Sequence, residues 1–562
     1  MLNKSKVMNR KTIVLFCILW IIPSCLISCM AIERVKADLV LDHSICTNTH
    51  MGYKYYDYDY REEMCKSIGE MKVGMIRDYV FNNSSNSFDP INGNPQTGRA
   101  YVFNNVLYNL HKYAPNTQVL GVLHDRRWAV DKDVPISKFL ELVKKAVKTY
   151  NGETIFVPTD YGKEMSFEIK YWEICNEMDW GVYDIPPFDT AEKTFHLIKS
   201  TYHAIKEANP NAVVVFPGVA YINGKFLKDM FEFSDEDGKR IWDFFDVFNF
   251  HHYPSAAEDL ISAIKMVNDY KAKYGWNKPV WLTEVGWSEL IKTEDEVAIN
   301  YPKAYLMAFA YGIDKVFMFQ HRRFDYNCTI DASLGILRSS MDATYISLLS
   351  GGNPLSKGSA FEHILIKENE LDIPLINHWS NSFADYLLGK LKKNGLEIKG
   401  KDYVIEKVVI HYANKDGKKN KQILFAQETD KEIKIPSSAF VNCDINDTIK
   451  IYFKKYKKDI KWKSADKTKT YYAMKELMRH LPDGSSDISL EIENGIYICR
   501  WLDKKGKKQM AIWSEKDKHV RFDTTKKIKG VNHMGNKLSI PPDGITLNKG
   551  IVYINGHYNY TK

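Results

Sequence analysis

IKYWEICNE, residues 169–177, decides the fold. It begins as a short run rich in aromatic and β-branched residues, which reads as a strand packed into a core, and turns abruptly polar at Asn176 and Glu177. Seven further runs share its character: LDHSICTNTH (41–50), VGMIRDYV (73–80), QVLGVLHD (118–125), AVVVFPGVA (212–220), DVFNFHHYP (246–254), KPVWLTEVGW (278–287) and KVFMFQH (315–321). Between them lie amphipathic stretches with apolar residues at helical spacing, such as ISKFLELVKKAVKTY, AEKTFHLIKSTYHAIKEANP and AAEDLISAIKMVNDYKAKYG. Eight strands alternating with helices over about 300 residues predict an α/β fold of the (β/α)8 barrel type, typically about 250 residues long. A doubly wound sheet is the competing arrangement, but no glycine-rich phosphate loop follows the first strand.

In such a barrel the C-terminal strand ends form the face that carries chemistry. Glu177 ends the fourth strand and Glu284, in VWLTEVGW, ends the seventh. Singly, each fits a surface residue or a strand-end ion pair. Together on one face they supply what glycosidic bond cleavage needs: an acid for the leaving oxygen and a base or nucleophile on the sugar. Along the sixth strand Asn249, His251 and Tyr253 share one face because side chains alternate. Adjacent His251 and His252 point to opposite faces and do not form a metal pair.

These motifs resemble clan A of the glycoside hydrolases, and family 39 within it, the β-xylosidase and α-L-iduronidase-like enzymes. The resemblance implies that Glu177, following Asn176, is the general acid/base and Glu284 the nucleophile of a retaining double displacement. It implies that Tyr253 bonds the nucleophile, His251 lines the sugar subsite, Arg77 orients the nucleophile and Asn176 bonds the sugar 2-hydroxyl. His124, ending strand three, joins these substrate-binding residues. Strand eight departs from the pattern, since FMFQH lacks the tryptophan often found there. The alternative is a non-catalytic carbohydrate-binding protein on a degenerate scaffold.

Aromatic faces stack on the C–H side of a pyranose, and Trp128, Trp180, Tyr183 and Trp287 all follow strands; Trp180 and Trp287 are nearest the glutamates. HDRRW and QHRRFD place Arg126, Arg127, His321, Arg322 and Arg323 at the same end of the barrel, where guanidinium forks suit the carboxylates or sulfates of an acidic glycan. Pairing with Asp125, Asp131, Asp325 and Asp331 is the alternative.

Composition bounds the rest. At 562 residues the chain exceeds one hydrophobic core, so further domains are expected. The charge of +8 is spread through lysine-rich runs broken by acidic and aromatic residues, which argues against nucleic-acid binding. Lys4, Lys6, Arg10 and Lys11 precede TIVLFCILWII and LISC, an export signal. It resembles a bacterial lipoprotein signal in which Cys29 becomes the lipidated first residue, giving a periplasmic or outer-membrane protein tethered only through that lipid; cleavage after Ala37 would give a secreted one.

Of the nine cysteines, those outside the signal are scattered without CxxC spacing, so no metal is expected and no cofactor is implied; Cys46 and Cys65 are candidates for a disulfide. Residues 1–37 are thus an export segment and 38–337 the barrel. Residues 338–468 are an inserted or intervening β-rich module, in which VVIHYANKD, KQILFAQE and IKIYFKKY read as strands. TYYAMKELMRHL, within 469–482, resembles the last barrel helix, and 483–562 a terminal β-sandwich.

Overall fold

The computed structural model describes residues 32–51, 60–81, 103–124, 136–158, 161–179, 188–288, 292–322 and 466–561, together with shorter segments between 337 and 462. Eight parallel strands form the barrel: β1 (Ile45–Asn48), β2 (Met75–Phe81), β3 (Gln118–Leu123), β4 (Tyr171–Ile174), β5 (Val213–Val215), β6 (Phe248–His252), β7 (Val280–Val285) and β8 (Lys315–Met318). They are hydrogen-bonded in the order β5-β4-β3-β2-β1-β8-β7-β6. Parallel bridges Val215–Val247 and Val219–Phe250 close the ring between β5 and β6. The barrel expected from the sequence is borne out.

Alternation along these strands builds the interior in layers. Cys46, Met75, Leu120, Tyr171, Val215, Val247, Trp281 and Phe317 form an apolar layer inside the barrel. Two residues further along their strands, Asn48, Arg77, Glu173, Asn249 and Thr283 form a buried polar layer above it. Residues of opposite parity, including Ile76, Trp172 and Leu282, face outward into the main core.

The outer helices are α1 (Arg61–Met71), α2 (Phe103–Tyr113), α3 (Ile136–Thr149), α4 (Ala191–Ala208), α5 (Lys225–Glu232), α6 (Leu260–Tyr274) and α7 (Glu294–Ala310). Thr190 caps α4 by accepting from Lys193 N, and Thr293 with Glu296 forms a capping box on α7.

The chain then leaves the barrel. Leu337–Arg338 pairs antiparallel with Asp466–Lys467, and Met341–Asp342 with Lys461–Trp462. This two-rung stem brings the departing and returning strands side by side, the geometry of an insertion. Within it lie two antiparallel sheets and helix α8 (Asn381–Asn394). On return, α9 (Lys469–His480) packs against α7, and Tyr471, Met474 and Leu477 join the barrel core.

The terminal module is a seven-stranded antiparallel sheet facing a three-stranded one. In Ile496–Leu502, Ile496 and Ile498 enter the core between the sheets, whereas Tyr497, Cys499 and Trp501 pack towards the barrel. Both faces are covered from Ile496 to Cys499, so these four residues are apolar without alternation. Trp501 Nε1 donates to His480 O at 3.0 Å, and Trp513 Nε1 to Glu258 at 3.1 Å, while buried Lys303 reaches the same carboxylate at 2.7 Å. Strand Glu33–Lys36, short and charged, is the edge of this sheet, paired with Ser489–Ile492.

Cys46 and Cys65, the candidate pair, do not form a disulfide. Both are free, Cys46 inside the barrel and Cys65 on α1 in the outer core, with the wall of β1 between them. Among the described residues no helix is long and apolar enough to cross a membrane.

Candidate active site

The polar layer gathers around Arg77. Its Nε and Nη2 donate to the two oxygens of Glu173 at 2.6 and 2.8 Å; Nη1 donates to Glu284 Oε1 at 2.8 Å and Asn48 Oδ1 at 3.0 Å; Nη2 also donates to Asn176 Oδ1 at 2.6 Å. Burial works against its charge, but the carboxylates outweigh burial and hold the guanidinium well above its ordinary pKa. The bond to Asp78 that sequence proximity suggests is not made. Asp78 has the opposite parity and accepts from Thr49 and from the Met51 backbone N–H.

Strict alternation would send Asn176 and Glu177 to opposite faces. The chain avoids this by taking left-handed φ at Cys175 (59°) and Glu177 (45°), uncommon for residues with a Cβ and costing of order 1–3 kcal/mol each. Glu177 N donates to Gly218 O at 2.7 Å, and Asn176 N donates to His124 Nδ1 at 3.1 Å. Asn176 therefore reaches Arg77 while Glu177 reaches His251, whose Nδ1 lies 2.8 Å from Glu177 Oε1. Gly218 is needed here, since a Cβ would stand 2.3 Å from His251 Nε2.

On β7 the pairing register slips between Leu282 and Val285, so both Thr283 and Glu284 face inward. Thr283 bonds Asn249. Glu284 accepts from Arg77 and, through Oε2, from Tyr253 OH at 2.6 Å. His251 Nδ1 lies 3.6 Å from the same oxygen. Asn249, His251 and Tyr253 thus all serve the interior face.

Glu177 and Glu284 are 3% and 4% exposed, dry enough for their charges to matter. Burial, reinforced by Glu177, raises the Glu284 pKa although His251, Arg77 and Tyr253 oppose it. The positive charge of Arg77, which would keep a nucleophile ionised, does not dominate here, since Glu173 engages two of the guanidinium nitrogens. Burial lowers the His251 pKa, so the imidazole is neutral between the two acids.

One ligand atom from each of Glu177, His251 and Glu284 lies within 4.8 Å of the others, a spacing that could also hold a metal ion. The donor set fits a cation poorly: a guanidinium and a phenol already donate to Glu284, and a second positive charge beside Arg77 is repelled.

The aromatic surroundings differ from the sequence expectation. Trp287 is 3% exposed and stands edge-on to Tyr301 at 5.1 Å in the main core, so it packs rather than offering an open sugar platform. Trp128, Trp180, Tyr183, Arg126, Arg127 and Arg323 lie outside the described residues. Tyr79, His50 and Phe319, which sequence reasoning missed, join the expected His124 and Tyr253 in an arc of rings on neighbouring strand ends, in the order His124, Tyr79, His50, Phe319, Tyr253, with successive centroids 5.8, 5.6, 5.7 and 6.1 Å apart. Their signal was position, one ring at or just beyond the end of each of β3, β2, β1, β8 and β6.

His321, grouped with the arginines as an anion contact, is fully buried, lies 3.0 Å from Ser67 Oγ, and is pushed by burial to a pKa of about 3. It carries no charge at neutral pH. Arg322 is 4% exposed, with its guanidinium 4.4 Å over the Tyr60 ring.

A closed parallel barrel with two buried carboxylates converging on its C-terminal face has the form of a glycoside hydrolase catalytic core. Residues 188–314 match the family described as Glycosyl hydrolase catalytic core. The fold is similar to that of a family 39 glycoside hydrolase from Bacteroides cellulosilyticus WH2, with a TM-score of 0.51 and 13% identity over 92% of this chain and 81% of that one. An α-L-arabinofuranosidase from Thermotoga maritima matches at a TM-score of 0.46 and 11% identity over 93% and 100% of the two chains. An endo-1,4-β-mannanase from Rhizomucor miehei matches at 0.38 and 16% over 54% and 94%. At 13% identity the likeness to the first of these is one of fold. No curated protein matches the chain.

Proposed function

We propose that the chain is an exported, retaining O-glycoside hydrolase acting on an acidic poly- or oligosaccharide. The observation that carries the reading is the approach of Glu177 and Glu284, with one oxygen of each within 4.8 Å of the other. A separation of about 5 to 5.5 Å suits a nucleophile and an acid flanking one anomeric carbon, whereas an inverting pair stands about 6.5 to 9.5 Å apart to admit water.

In the first step a Glu284 oxygen attacks the anomeric carbon while Glu177 gives its proton to the departing glycosidic oxygen. The C–O bond breaks and a glycosyl ester forms on Glu284. In the second, Glu177 takes a proton from water, the resulting hydroxide attacks the same carbon, and Glu284 leaves as a carboxylate. Arg77 and Tyr253 hold Glu284 in place for both steps and stabilise the charge it regains. With its Oδ1 engaged by Arg77, Asn176 presents its amide Nδ2 to a sugar hydroxyl.

Export is proposed from the N-terminal signal, with lipidation at Cys29. The pairing of Glu33–Lys36 with the terminal sheet supports that choice, since cleavage after Ala37 would remove a formed edge strand. An acidic substrate is proposed from Arg126, Arg127 and Arg323 of the strand-three and strand-eight sequences; Arg322, buried against Tyr60, is not counted among them.

A panel of aryl-glycosides in neutral and uronate forms tests the reading. Turnover with a preference for the uronate series is expected. A preference for the neutral series contradicts the acidic substrate, and no turnover of any member contradicts hydrolysis.

A further inference from the structure

Beside the acid/base, the loop after β5 is fastened in a way the mechanism does not use. Asp179, two residues beyond Glu177, accepts from the backbone N–H of Ala220 at 3.1 Å through Oδ1 and from that of Tyr221 at 2.7 Å through Oδ2. Gly218, in the same loop, accepts from Glu177 N. Tyr221 O in turn accepts from Gly224 N at 3.0 Å, closing a turn that leads into α5. A six-atom side chain therefore locks two successive peptide groups against the segment that carries Glu177.

What the clamp holds outward is a ring. Tyr221 is 54% exposed; the other tyrosine among the exposed large hydrophobics of the described residues, Tyr472 at 49%, lies on α9. Fixing an exposed tyrosine on a rigid loop costs conformational freedom without burying the ring, so its packing does not account for it. Its place does suggest a use. The rings of His124, Tyr79, His50, Phe319 and Tyr253 run round the strand ends from His124, which accepts from the Asn176 backbone, to Tyr253, which bonds Glu284. Tyr221 is not part of that arc: it lies on the loop after β5, whose backbone is bonded to the segment bearing Glu177, the proton donor to the leaving oxygen.

We infer that Tyr221, held by Asp179, is the stacking platform for the leaving-group sugar. An aromatic face on the apolar side of a pyranose orients the departing residue so that its glycosidic oxygen meets Glu177. The inference rests on the hydrolase reading above and adds the residue that selects what lies beyond the scissile bond. Asp179 is a positioning residue: it acts through the Tyr221 and Ala220 amides.

The test compares two substrates of the sugar that the wild-type protein turns over best in the aryl-glycoside panel: its dinitrophenyl glycoside and its disaccharide. A dinitrophenolate leaves without needing a sugar contact, so only the disaccharide calls on the platform. Tyr221→Ala is expected to lower kcat/KM for the disaccharide roughly tenfold more than for the dinitrophenyl glycoside, with Tyr221→Trp restoring the ratio. Asp179→Ala is expected to shift the ratio in the same direction, because the loop is released. Equal losses on both substrates, or an unchanged ratio in Tyr221→Ala, would overturn the inference while leaving the hydrolase reading intact. A wild-type protein inactive on both would overturn that reading and this one with it.

Discussion

Glu284→Ala is expected to lower kcat by roughly 10⁵- to 10⁶-fold, the scale seen when a catalytic nucleophile is removed. The loss should fall on kcat, because the carboxylate forms the covalent bond rather than the binding surface. The same substitution opens a space lined by donors. Arg77 Nη1 and Tyr253 OH lose the acceptor they reach at 2.8 and 2.6 Å, and each unsatisfied buried donor costs about 1–3 kcal/mol. A small anion fits that space and those donors. Added azide should therefore restore turnover of an activated aryl-glycoside and yield a glycosyl azide of inverted configuration. Retained activity in the absence of azide would show that another group attacks the sugar. A carbohydrate-binding protein on the same scaffold would have no turnover to lose.

Arg77→Met should be the most destabilising single change in the barrel interior, by about 3–5 kcal/mol in denaturant unfolding. The reason is Glu173, fully buried with both oxygens engaged by the guanidinium. Removing the cation leaves an uncompensated charge in the barrel and frees Asn176 and Glu284 to move. Replacing both members, Arg77→Met with Glu173→Leu, should recover much of the lost stability, since a buried pair exchanged for apolar groups is often neutral. Activity should stay low in the double variant, because Glu284 keeps only the Tyr253 hydroxyl and loses the guanidinium that holds its other oxygen. Independent, additive losses would contradict the coupling assigned to this pair.

The ease with which these residues could be found in the sequence differed for physical reasons. The eight strands were legible because a parallel barrel buries both strand faces and so writes continuous apolar runs. Glu177 and Glu284 were legible because such runs end in them. Glu173 was not, since a single acid inside YWEI resembles an ordinary strand residue until its parity with Tyr171 shows that it points inward, towards a cation from another strand.

The turn that aims Asn176 and Glu177 the same way was hidden as well. It is made by left-handed backbone at Cys175 and Glu177, where no glycine announces it. Trp287 misled because nearness to Glu284 in the chain is not nearness in direction: three residues on, the side chain enters the outer core. The strand Glu33–Lys36 could not be anticipated, because its partner lies more than 450 residues away and the four residues ERVK carry little apolar signal.

Retention requires Glu177 and Glu284 to act in two displacements at one carbon. Proton NMR of the first-formed product, recorded before mutarotation, tests this most directly. Double displacement releases the sugar in the same anomeric configuration as the substrate; first release of the opposite anomer would exclude it.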